Sequence, residues 1–136
     1  ATNQVGLATN GTLALLVDAS QNVGIGIAPP TSTFKSLFVG GYNNTMHGQG
    51  ASILAGQNNF TTGQWGSILG GLDNRATGTL SCISGGHSNI AAGDRASVSG
   101  GLLNLSDGIA TSILGGQYVQ IFGQYETASG PYDIND

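Results

Sequence analysis

Charge is scarce in this chain. Lys and Arg together number 3 and Asp and Glu 7 among 136 residues, for a net charge of -4. Three cations cannot build the basic stripe that a phosphate backbone needs, so no nucleic-acid partner is expected. Acid-base chemistry is equally short of material. Glu126 is the only glutamate, and Asp18, Asp73, Asp94, Asp107, Asp133 and Asp136 are scattered along the chain, with no two in successive copies of one column. Cys82 stands alone and cannot form an intrachain disulfide. No apolar run approaches about 18 residues, so membrane insertion is not expected.

Glycine is what the chain has in plenty, 24 of them, and they are periodic. Gly48, Gly63, Gly78, Gly93, Gly108 and Gly123 follow one another at a 15-residue step. A Gly-Gly pair recurs at 40-41, 70-71, 85-86, 100-101 and 115-116, with Ala55-Gly56 as a softened copy. Three residues after the pair comes asparagine, at Asn44, Asn59, Asn74, Asn89 and Asn104, until Val119 breaks the column. An apolar column holds Ile53, Ile68, Ile83, Val98 and Ile113, and a small one holds Ser52, Ser67, Cys82, Ser97, Ser112 and Thr127. A repeat of this length is one coil of a solenoid, a rod made by stacking.

Each coil reads as two short strands. Ala51, Ile53 and Ala55 alternate with Ser52 and Leu54, and Ala96, Val98 and Gly100 do the same, which sends one set inward. Asn74, Ala76 and Gly78 alternate with Arg75 and Thr77 in the second strand. Pairs such as Leu72-Asp73 and Thr79-Leu80 must then turn the chain, with neighbouring glycines supplying positive φ. The expected inward set has too little volume for an ordinary core, so the coil is narrow and flat. Stacked at about 4.8 Å, six coils make a rod on the order of 30 Å long. The buried asparagines are expected to hydrogen-bond amide to amide along their column, a structural role.

Outward positions carry more apolar surface than water favours: Leu54, Leu69 and Leu114 in one column, Phe60, Ile90 and Leu105 in another. Copies of the same chain around an axis would cover it, and three fit best, so a homotrimer is expected. Asp73, Arg75, Asp94 and Arg95 then decorate the outside. A three-fold axis could gather His47 or His87 into a ring, but no further ligands accompany either, and no metal or cofactor is expected. A Ser-His-Asp set can be named from His87, Ser88 and Asp94, yet corners of a narrow coil offer no evident pocket; no catalytic residues and no enzyme are expected.

The stretch Gly85-Gly86-His87-Ser88-Asn89-Ile90-Ala91-Ala92-Gly93-Asp94-Arg95-Ala96-Ser97-Val98-Ser99-Gly100-Gly101 resembles the head repeat of trimeric autotransporter adhesins, and similar repeats occur in phage tail-fibre proteins. The resemblance implies a trimer of left-handed parallel β-rolls for residues 38 to about 130. It departs in the last copy, where Val119, Ile121 and Phe122 replace small and polar residues, so coil six is expected to be distorted or a cap. Asp18-Ala19-Ser20-Gln21-Asn22-Val23-Gly24-Ile25-Gly26-Ile27-Ala28-Pro29-Pro30 is similar to an element common in phage tail fibres and related bacterial surface proteins. That tilts the source toward phage.

The expected organisation is all-β: an N-terminal β joining element at 1-37, a six-coil β-roll at 38-130 and a C-terminal tail at 131-136. The expected function is that of a structural trimeric fibre protein of a phage tail or virion that takes part in host attachment. Its expected partners are other virion or fibre proteins, through the N-terminal element, and a host surface glycan or protein. The alternatives are a bacterial cell-surface adhesin head and a passive spacer fibre with no receptor of its own. Recognition should fall on side chains outside the repeat frame, and Trp65, Tyr118, Tyr125 and Tyr132 are the candidate receptor contacts because aromatic faces anchor sugars and proteins well. Trimer packing and capping would use the same aromatics.

Overall fold

This computed structural model describes residues 40–130 in full and, before them, the backbone of strands β1 (Val5–Thr9), β2 (Thr12–Val17), β3 (Val23–Ile25) and β4 (Leu37–Phe38). Among the described residues every regular element is a strand. Sheet one has ten: β1 to β4, then β6 (Ser52–Ile53), β8 (Ser67–Ile68), β10 (Cys82–Ile83), β12 (Ser97–Val98), β14 (Ser112–Gly116) and β16 (Thr127–Gly130). Sheet two has six: β5 (Thr45–Met46), β7 (Phe60–Thr61), β9 (Arg75–Ala76), β11 (Ile90–Ala91), β13 (Leu105–Ser106) and β15 (Gln120–Ile121). Strands β1, β2 and β3 pair antiparallel, whereas β3 with β4 and β4 with β6 pair parallel.

From β4 onward each strand pairs in parallel with its equivalent 15 residues later, as in Ser67↔Cys82 and Phe60↔Arg75. A third column of single bridges runs Tyr42↔Gln57↔Leu72↔His87↔Leu102↔Gln117 along one edge. The chain is a parallel β-solenoid of about six turns, each near 15 residues.

The inward side is as spare as the sequence implies and keeps the expected phase, but the first strand ends sooner. Ile53, Ile68, Ile83, Val98 and Ile113 are buried, as are Asn59, Asn74, Asn89 and Asn104, while Asn44 in the first coil is half-buried. The alternation stops at Leu54, however. Ala55 is exposed and Gly100 half-buried, against the expectation that both face inward. The chain has already left the sheet at the Gly-Gly pair, whose second member turns it with φ of 94° at Gly71 and 90° at Gly86. A Cβ at Gly71 would strike the Gly86 carbonyl of the next coil and the Asn74 amide, whereas one at Gly70 would meet nothing within 4 Å. That asymmetry explains why Ala55 is tolerated in the first position and no residue replaces glycine in the second.

The asparagine column bonds to backbone rather than amide to amide. Asn74 Nδ2 donates to the Gly70 carbonyl at 3.1 Å and to the Gly86 carbonyl at 3.0 Å, while its Oδ1 accepts from the Asn89 N–H at 3.0 Å. The reason lies in the turn: the first glycine's carbonyl and the asparagine N–H have no backbone partner there and need one, while the second glycine's carbonyl, which already accepts a backbone N–H such as that of Leu72, takes the side chain as a further donor. Amide-to-amide steps occur instead on the exposed corners, Asn43 to Asn58 at 3.1 Å and Gln64 to Gln49 at 3.0 Å.

Neighbouring glycines supply positive φ at the first corner as expected, at Gly71 and Gly86 among others, but they are not the whole of it. Positive φ is carried by Asn43, Asn58, Asp73, Ser88, Leu103 and Tyr118 in one column and by Gly50, Trp65, Leu80, Arg95, Ala110 and Tyr125 in another, all between 55° and 68°. Neither column holds a β-branched residue, the class that least tolerates this conformation.

Coil six is a continuation, not a distortion of the core. Val119 and Ile121 fill the inward positions with no exposure, and Gln120–Ile121 pairs in register with Leu105–Ser106. Only the pairing of β14 with β16 slips, where Gly116 lies opposite Gly130 after Ile113 lies opposite Ala128. Inside the rod, Ser106 Oγ meets Thr111 Oγ1 at 2.6 Å, and Thr111 donates on to the Gly108 carbonyl at 2.8 Å. The hydroxyls of Thr61 and Ser81 in the equivalent columns are buried without a partner, because Gly66 stands opposite the first and Ala76 opposite the second.

Candidate functional site

Three of the four aromatic candidates project from corners. Trp65, Tyr118 and Tyr125 have φ of 58°, 60° and 60° and are 56%, 48% and 75% exposed. A left-handed residue bends the chain sharply and sets its side chain off the rod. They do not form one patch. Tyr118 belongs to the corner that follows sheet one and Tyr125 to the corner that follows sheet two, so they occupy opposite edges of the last coil. Trp65 shares the Tyr125 edge but is four coils back, about 19 Å along the rod at one strand spacing per coil. Its ring lies against Gly50 in the preceding coil, where any side chain would collide with it. Tyr132 lies outside the described residues.

The His87, Ser88 and Asp94 set does not assemble. His87 Nε2 is 3.7 Å from Asp73 Oδ2, and Asp94 Oδ1 instead accepts from the Thr79 N–H at 3.3 Å. His47 is in another column, where its ring meets Phe60 edge-on with centroids 6.0 Å apart. Among the described residues no three His, Cys, Asp or Glu side chains come close enough to hold a metal ion, and no helix is long and apolar enough to cross a membrane.

A second candidate emerges on sheet two, where stacking brings together residues that sequence reading kept apart. Phe60 of β7 and Arg75 of β9 are register neighbours, and the Arg75 guanidinium carbon sits 5.1 Å from the Phe60 ring centroid. Such a contact holds a cation in place without neutralising it. Asn58 and Asp73, successive members of the adjoining corner column, close the other side of an open groove of about 340 Å³. Among the described residues no carboxylate lies within ion-pair range of Arg75; the Asp73 carboxylate leans to His87. The groove therefore offers a guanidinium, a carboxylate and a carboxamide over two consecutive coils. Its signal was present in the sequence as residues 15 apart, Asn58 with Asp73 and Phe60 with Arg75, but only the coil's register turns that interval into contact.

No protein-family model matches the chain, and a search of curated proteins finds no significant relative.

Proposed function

We propose that the chain is the repeat module of a homotrimeric fibre on a phage tail or other virion surface, and that it takes part in host attachment. One observation carries the trimer. From β6 to β16 the outward face of sheet one, made of Ser52, Leu54, Ser67, Leu69, Cys82, Ser84, Ser97, Ser99, Ser112, Leu114, Thr127 and Ser129, bears no charge. On it Leu54, Leu69 and Leu114 are 39%, 49% and 60% exposed. A flat, uncharged face with leucines at intervals suits contact with its own copies around an axis. The Phe60, Ile90 and Leu105 column is half-buried within the single chain and makes less demand for cover. The left-handed β-roll of adhesin heads and a joining role for residues 1-37 belong to the same reading. Light scattering on the purified protein should return three times the 13.6 kDa chain mass; a stable monomer would end the shared-axis model.

Attachment rests on the exposed corner aromatics. Tyr118→Ala, Tyr125→Ala and Tyr132→Ala should each reduce adsorption to host cells while the assembled mass is kept. The separation of Tyr118 from Tyr125 on opposite edges favours a second reading, a spacer fibre with no receptor of its own, and full adsorption by all three assembled variants would select it.

A further inference from the structure

We propose that the groove of Asn58, Phe60, Asp73 and Arg75 on sheet two is a saccharide-binding subsite, one that takes the vicinal hydroxyls of a single neutral sugar ring. The inference rests on the attachment reading and gives it a ligand class and a place.

The chemistry begins with what the four side chains can exchange. Asp73 accepts, Arg75 donates, and the Asn58 amide does both, since its Oδ1 takes a bond from Asn43 while its Nδ2 has no acceptor among the described residues. A pair of neighbouring hydroxyls is best matched by planar polar groups of this kind, because each hydroxyl must donate once and accept once. The cation is also positioned in advance: Arg75 is laid over Phe60, whose ring meets the edge of His47. Ordering that side chain before the ligand arrives lowers the entropy lost on binding.

Charge selects among ligands. Arg75 and Asp73 both line the groove, so an acidic peptide meets the Asp73 carboxylate and a basic one meets the Arg75 guanidinium. A neutral polyol meets neither objection. The groove also lies on the face away from the uncharged leucine face of sheet one, so trimer formation through that face leaves it open.

Saturation-transfer difference NMR on the assembled protein, with free galactose, glucose, mannose and N-acetylglucosamine as probes, tests the proposal. At least one sugar should receive saturation from the wild type, and Asp73→Ala and Arg75→Ala should each weaken it by at least about tenfold. Arg95→Ala, at the opposite edge, should leave it unchanged. Circular dichroism and light scattering on each variant separate lost binding from lost assembly. Silence for all four sugars, transfer that survives both substitutions, or capture of a tetra-aspartate peptide in their place would overturn the subsite. Host-cell adsorption measured alongside keeps the two readings apart: adsorption without sugar binding removes the subsite alone, whereas a wild type that neither binds sugar nor adsorbs removes attachment with it.

Discussion

Sheet one and sheet two share every coil yet differ in kind. Sheet one presents Ile, Ile, Ile, Val and Ile from Ile53 to Ile113 inward and only Ser, Leu, Cys and Thr outward. Sheet two presents Met46, Thr61, Ala76, Ala91, Ser106 and Ile121 inward and Thr45, Phe60, Arg75, Ile90, Leu105 and Gln120 outward, with His47 and Asp107 beside them. One sheet keeps the repeat; the other lets it vary. The lesson is that a solenoid can divide its tasks by face, because neighbouring coils must agree on spacing and on the turn but not on every side chain.

The largest effect that would break this division concerns assembly. If the proposed trimer forms through sheet one, Leu69→Asp places a charge on its uncharged face in every copy and should reduce the particle from three chains to one in light scattering, whereas Thr77→Asp on sheet two should keep three. Dissociation by both would mean that both faces meet partners.

Inside the rod the contrast should be smaller but measurable by denaturant titration. Ile83→Ala removes most of a side chain with no exposure from the uniform column and should cost about 2–4 kcal/mol per chain. Thr61→Ser, in a sheet-two inward column that already holds Ser106, removes one buried methyl and should cost about 1 kcal/mol. Equal costs would show that sheet two is as constrained as sheet one.

The smallest effect distinguishes two hydroxyls within sheet two. Ser106→Ala removes a group bonded to Thr111 and should lower stability by about 1 kcal/mol. Thr61→Val removes a buried hydroxyl with no protein partner and should leave the melting temperature equal or higher. A loss on Thr61→Val would indicate that solvent satisfies that hydroxyl in solution.

Much of the coil was legible because its constraints repeat. Five asparagines and the Ile column declared an inward set, and the glycine step declared its length. The strand was read one position too long at Ala55 because alternation cannot say where a strand ends; the positive φ of Gly56 does. The corner conformations left a mark only by omission, in two columns without Val, Ile or Thr, a pattern that six copies make readable and one would not. The groove was least legible. Nothing in the local sequence of Phe60 points to Arg75, and the contact exists only because sheet two places them side by side.

The asparagine ladder has a direction. Each Oδ1 receives the N–H of the coil ahead and each Nδ2 reaches forward to that coil's glycine carbonyl, until the Val119 N–H closes the series on Asn104. Any cut made between two coils from Asn44 to Asn104 exposes the same set each time, an Oδ1 acceptor and an Nδ2 donor behind it and an N–H donor and a glycine carbonyl acceptor ahead. Removal or duplication of one 15-residue unit there rejoins without a mismatch. Loss or gain of a unit would then shorten or lengthen the rod in steps of about 4.8 Å, a graduated scale on which Val119 is the last mark.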